Sequence, residues 1–212
     1  DAHVPYEDKR AIKKAFDACK EIQSDIIILD EWHDFYSISR FSKDPKRVLG
    51  LQDELNTVKR YLSKLRNLVT DDTRIIMLWS NHLERLRKYL WSAAPELSSL
   101  DCLKLESLLG LDGLNIEYTR IFIQNNILFK HGDICRKLSA YTARGELETE
   151  GMSGCSGHTH RLGLHYKTKR DGPRWWMECG CLCDLRPEYM EGKVADWQHG
   201  YGLIEVAGNK ST

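Results

Sequence analysis

The 212 residues include 42% hydrophobic side chains, enough for one sizeable core, and read as a single domain over 1–212. Lys+Arg and Asp+Glu balance at 31 each, so net charge gives no general attraction for nucleic acid or an anionic membrane, and any such partner must be met locally. No stretch approaches the ~18 apolar residues of a membrane span, Asp1–Arg10 lacks the regions of a signal peptide, and seven irregularly spaced cysteines fit a reducing compartment, so a cytoplasmic protein with no membrane partner is expected.

From Tyr6 to Ile22 the residues Ile12, Ala15, Phe16, Cys19 and Ile22 recur at spacings of three and four, the stripe of an amphipathic helix. Ile26 to Leu29 reads as a strand. Leu51, Leu55, Val58, Leu62 and Leu65 predict a second helix reaching about Leu68, and Ile75 to Trp79 a buried strand. Helices are expected over Leu83–Trp91 and Leu103–Leu109. After Gly113 short strands prevail: Ile116–Tyr118, Phe122–Ile123, Ile127–Phe129, a segment near Cys155, Leu164–Thr168, Arg174–Glu178 and Leu203–Val206, interrupted by a helix over Ala143–Glu150. Strand–helix alternation followed by strands implies a layered α/β protein. No apolar strand precedes Asp1-Ala2-His3, so the sequence reads as lacking a first N-terminal strand.

Five polar motifs punctuate this pattern. Asp1-Ala2-His3 opens the chain, Asp30-Glu31-Trp32-His33-Asp34 follows the first strand, and Ser80-Asn81-His82 follows the second. His131-Gly132-Asp133 and Gly157-His158-Thr159-His160 come later. In an extended backbone residues i and i+2 project to one side, so Asp1 with His3, and His158 with His160, can each enter one site. Motifs at strand C-termini sit where ligands gather in open α/β sheets. Any one of these is weak; together they put six of eight histidines in or near one centre.

The set Asp1-x-His3, Asp30-Glu31, Asn81-His82, His131 and Gly157-His158-x-His160 resembles the signature of the calcineurin-like metallophosphoesterase superfamily, in the same order and spanning Asp1 to His160. Asp34-Phe35-Tyr36-Ser37, Tyr141-Thr142-Ala143-Arg144 and Asp196-Trp197-Gln198-His199-Gly200 resemble its bacterial and phage members. The resemblance implies a four-layer α/β/β/α sandwich and hydrolysis of phosphate mono- or diesters, nucleotides or nucleic acid among them, at a dinuclear centre. It implies one metal on Asp1, His3 and His160, a second on Asn81, His131 and His158, Glu31 between them, and His82 facing the leaving group. Imidazole and carboxylate ligands suit Mn first, then Fe, Zn or Ni, over Mg or Ca.

This chain has Asp30-Glu31 where the family has Gly-Asp, Ser80 where it has Gly, and Leu83 where it has an acid. Asp30 is therefore a competing choice for the bridge, and His82 lacks its usual carboxylate neighbour. A metal-binding interaction protein with a degenerate site is the alternative reading. Arg85, after His82, and Arg161, after His160, are candidate phosphate ligands. The basic and aromatic segment Arg161–Trp176 suits either a nucleic-acid backbone or a solvated hairpin with its Trp residues packed inward. Cys179-x-Cys181-x-Cys183 is expected to lie on one strand face, as small buried hydrophobes or a soft-metal site.

Overall fold

The computed structural model describes residues 1–44 and 50–206, and its architecture is mixed α/β, with two sheets and five α-helices among those residues. Helix α1 (Lys9–Ile22) begins three residues after Tyr6 because Asp8 caps it, its carboxylate accepting the N–H groups of Arg10 and Ala11 at 2.8 and 3.0 Å. It ends where Gln23 turns left-handed at φ 49°. Helix α2 (Leu51–Arg66) buries Leu55, Val58, Leu62 and Leu65, the predicted stripe. Helices α3 (Leu83–Ala93) and α4 (Leu105–Leu109) follow.

Strands β1 (Ile26–Leu29), β2 (Arg74–Leu78) and β3 (Ile116–Thr119) form a wholly parallel sheet. One face of it, carrying Ile27, Leu29, Ile75 and Met77, shares a core with Ile12, Phe16, Val58 and Leu62 of α1 and α2. Full burial of each such side chain contributes about 1.5–3 kcal/mol. Ile75 through Leu78 are all buried, which is why β2 reads as an unbroken apolar run.

The second sheet has the order β4 (Phe122–Gln124), β5 (Ile127–Phe129), β6 (Ser153–Ser156), β8 (Gly172–Cys179), β7 (Leu162–Lys169). Its middle strands β5, β6 and β8 are parallel, and antiparallel hairpins close both edges. Helix α5 (Tyr141–Glu150) sets Ala143 and Leu147 against Leu128 and Trp176. The opposite face, with Phe129, Cys155 and Met177, joins Ile26 and Ile28 of β1 in lining a cavity of about 1050 Å³. No ladder forms at Leu203–Val206, which was expected as a strand. The segment runs along this cavity with Leu203 and Val206 exposed, and no described strand offers it backbone bonds. Among the described residues no helix is long and apolar enough to cross a membrane.

Candidate metal centre

Two parallel strands from each sheet deliver the polar motifs from their C-terminal ends: β1 leads into Asp30-Glu31, β2 into Ser80-Asn81-His82, β5 into His131, and β6 into Gly157–His160. The first residues reach the same place beside β1's extension. Ala2 donates to Glu31 O at 2.6 Å, Val4 to Trp32 O at 2.9 Å, and Val4 pairs in parallel with His33.

Two groups of ligand atoms result. In the first, His3 Nε2 and His160 Nε2 are 2.9 Å apart and Asp1 Oδ1 lies 4.0 Å from His3 Nε2. In the second, His131 Nε2 lies 2.6 Å from Asn81 Oδ1 and 3.0 Å from His158 Nδ1. Glu31 faces both: its Oε2 is 3.3 Å from His3 Nε2 and 3.8 Å from His131 Nε2. Its other oxygen, Oε1, accepts Ser80 Oγ–H at 2.5 Å and the His82 N–H at 3.0 Å. Ser80 thus fixes the Glu31 side chain.

These atoms fit metal ions. Ligands on a tetrahedral ion with ~2.0–2.1 Å bonds stand about 3.3 Å apart, the scale of the separations here. Asp1 Oδ1 is buried and has no hydrogen-bond partner among the described residues. Burial holds His160 well below its ordinary pKa and lowers His3 and His158, with neighbouring imidazoles adding to the effect in each case, so these rings are neutral and carry a free lone pair. Burial pushes the carboxyls of Asp30 and Glu31 up, but the imidazoles outweigh it, led by His131 for Asp30 and His3 for Glu31, and both stay anionic.

The two acids of Asp30-Glu31 have separate places. Asp30 Oδ1 lies 2.8 Å from His131 Nδ1, where it accepts a hydrogen bond from the ring N–H and leaves Nε2 to face Asn81 and His158. Asp30→Ala should lower metal affinity by ~10–100-fold, the usual cost of losing such a carboxylate, while binding two ions at saturation. Isothermal titration with Mn²⁺ measures this.

The Gly157-His158-Thr159-His160 segment is not extended. His158 and His160 are left-handed at φ 66° and 60°, as is His3 at φ 50°, conformations that cost energy in non-glycine residues and gather at functional sites. The bend sends His158 to His131 and His160 to His3, whereas Thr159 turns inward and donates to Glu178 Oε1 at 2.7 Å. Gly157 has no alternative at this point, since a Cβ there would fall on the carboxylates of Asp30 and Asp1.

His82 stands at the rim. Its Nε2 lies 2.9 Å from Arg85 Nη2, and a guanidinium only donates, so Nδ1 carries the ring proton and faces Asp34 Oδ2 at 3.2 Å. Asp34 also accepts from His3 Nδ1 at 3.4 Å and pairs with Arg85 at 2.8 Å. Burial would raise the Asp34 carboxyl, but His3 and His82 hold it far below the usual range. Asp34 is therefore the carboxylate beside His82, while the adjoining Leu83 is buried in the first core. His33, grouped with these histidines in the sequence, is instead fully buried, stacked on Phe35 and 3.4 Å from Glu54. Arg85 belongs to the site. Arg161 is turned away, to Arg136 O and Asp196.

No family model matches the chain. It is similar to the gene 54 protein of Mycobacterium phage D29, 29% identical over 226 residues that cover 99% of this chain and 88% of the relative. The gene 54 protein of Mycobacterium phage L5 is 28% identical over 225 residues, covering 98% and 87%.

Two supports of the site carry no sequence signal. Glu146 on α5 accepts the N–H groups of Asp133 and Ile134 at 2.9 and 3.1 Å, shaping the turn after His131, and Lys130 pairs with Glu146 at 2.8 Å. The basic and aromatic segment is the β7–β8 hairpin: Tyr166 is exposed, while Trp176 is buried and donates to Ser156 Oγ at 3.0 Å.

Proposed function

We propose that the chain is a dinuclear metal-dependent hydrolase of phosphate mono- or diesters, built as a four-layer α/β/β/α sandwich. The observation that carries this reading is the single oxygen of Glu31 that faces both imidazole groups. The layering is supported by helices on one face of the parallel sheet, α5 on the outer face of the second, and inner faces that line one cavity.

Asp1, His3 and His160 would hold one ion and Asn81, His131 and His158 the other, with Mn²⁺ favoured and Fe, Zn or Ni compatible. Two divalent ions supply Lewis acidity and a bound water acidic enough to attack phosphorus. The carboxylates of Asp1 and Glu31 leave them a net positive charge that favours a phosphate. The protein supplies the rest. Arg85 is placed to bind a phosphate oxygen, and His82, with Nδ1 toward Asp34, to protonate the leaving oxygen from Nε2 once the ring carries a second proton and Arg85 has turned from it to the phosphate. Nucleotides or nucleic acid are the favoured substrates, in a cytoplasmic setting.

Bis-p-nitrophenyl phosphate and p-nitrophenyl phosphate with added Mn²⁺ test this: turnover of at least one is expected, and preference between them separates diesterase from monoesterase. Metal uptake with no turnover of either ester would move the reading to a binding protein. Asp34→Asn should lower kcat by ~10–100-fold, as the His82 ring loses its charged partner, and steady-state kinetics measure it.

A further inference from the structure

The thiols of Cys179-x-Cys181-x-Cys183 do not share a face. β8 ends at Cys179, Gly180 turns left-handed at φ 74°, and a Cβ at Gly180 would lie 2.7 Å from Gln198 O, so only glycine makes this turn without strain. Cys179 stays on the cavity side. Past the turn, Cys181 and Cys183 point at the ring of His160. Their sulfurs and a His160 ring nitrogen lie within 4.8 Å of one another, all three residues are buried, and Cys183 Sγ is 3.8 Å from His160 Nδ1.

We propose that Cys181, Cys183 and Nδ1 of His160 form a further metal site, for a thiophilic cation such as Zn²⁺. Bonds of ~2.3 Å to sulfur and ~2.0–2.1 Å to nitrogen at a tetrahedral angle place S and N about 3.6 Å apart, close to the separation observed. Two sulfurs and one imidazole are a soft set that selects Zn²⁺ or Cu⁺ over Mn²⁺ or Mg²⁺. On binding, both thiol protons leave to solvent and the thiolates neutralise a divalent charge. A neutral imidazole has one free lone pair. His160 therefore serves this ion through Nδ1 or an ion of the Asp1–His3 group through Nε2, and it does both only if the ring gives up its second proton. The loop itself is tied to that group, since Leu182 donates to Asp1 O and accepts from the Asp8 N–H, both at 2.8 Å. The thiol site does not depend on the phosphoesterase reading.

Cobalt titration of the full chain tests the site, because thiolate-to-Co²⁺ charge transfer absorbs in the near ultraviolet. The band should saturate, weaken in each of Cys181→Ser and Cys183→Ser, vanish when both are replaced, and persist in Cys179→Ser. It should also persist in Glu31→Gln, which separates failure here from failure of the dinuclear centre. A wild-type chain with no band, or a band untouched by both serine substitutions, would overturn the proposal. Zinc-edge X-ray absorption on the Zn²⁺-saturated wild type needs no variant: a sulfur shell at ~2.3 Å is expected, and nitrogen and oxygen neighbours alone would also overturn it.

Discussion

Glu31→Gln should give a folded chain that no longer holds two ions and hydrolyses phosphoesters more than ~100-fold more slowly, beyond the range for an outer carboxylate. The amide keeps the volume, and its oxygen can still accept from Ser80 and the His82 N–H, so packing is preserved. What it loses is the charge at Oε2, the atom 3.3 Å from His3 Nε2 and 3.8 Å from His131 Nε2. With the amide N–H₂ in that place, two donors point where two cations need an anion. Asp30→Ala is the comparison, since the side-chain hydrogen bond of Asp30 is to His131. Its loss should be recoverable with excess Mn²⁺, whereas that of Glu31→Gln should not. If the two variants behaved alike, or if Asp30 were the more damaging, the bridging place would belong to Asp30.

The second large effect is on stability. Lys130 is 5% exposed and Glu146 0%, and the ammonium reaches Asp133, Glu146 and Glu150 at 2.7 to 2.8 Å. Burial pulls the lysine pKa down, but the three carboxylates outweigh it and raise it. Removing the cation strands a buried carboxylate, so Lys130→Ala should cost about 3–5 kcal/mol and lower Tm by ~6–20 °C at ~2–4 °C per kcal/mol for a chain of this size. Lys130→Met with Glu146→Gln should recover most of it, because the Gln oxygen still accepts the Asp133 and Ile134 N–H groups. Additive losses in the double variant would show that the two residues are not coupled. Because Glu146 shapes the turn after His131, Lys130→Ala should also weaken metal binding.

Much of the fold was legible because burial here is periodic. Leu55, Val58, Leu62 and Leu65 announce α2, and Ile75–Leu78 announce a strand buried on both faces. β6 was only glimpsed, since Ser153-Gly154-Cys155-Ser156 has no apolar run. A Cβ at Gly154 would meet the Trp176 ring at 2.5 Å and Leu128 O at 2.6 Å, so close packing removed the usual signal. Leu203–Val206 has strand composition and no neighbour to pair with among the described residues. Composition sees the first of these and not the second.

The site divides in the same way. The types and order of the candidate ligands were readable, because four of the five motifs follow a strand. Geometry was not: the i, i+2 rule for extended chains does not hold at His158 and His160, whose left-handed backbone splits them between two groups. Nor does spacing connect Asp34 with His82, Asp30 with His131, or Cys183 with His160. Those pairs lie 48, 101 and 23 residues apart and are joined only by the fold. Leu83 and Ser80 looked like losses of function in isolation. In the fold, Asp34 sets a carboxylate beside His82 and the Ser80 hydroxyl holds Glu31.

Metal stoichiometry tests the central claim most directly. After removal of all metal and dialysis against Mn²⁺, which the thiol site disfavours, the wild-type chain should hold two Mn²⁺ ions per molecule, and Glu31→Gln fewer. A wild-type chain that holds less than one Mn²⁺, or a Glu31→Gln chain that still holds two, would contradict the account.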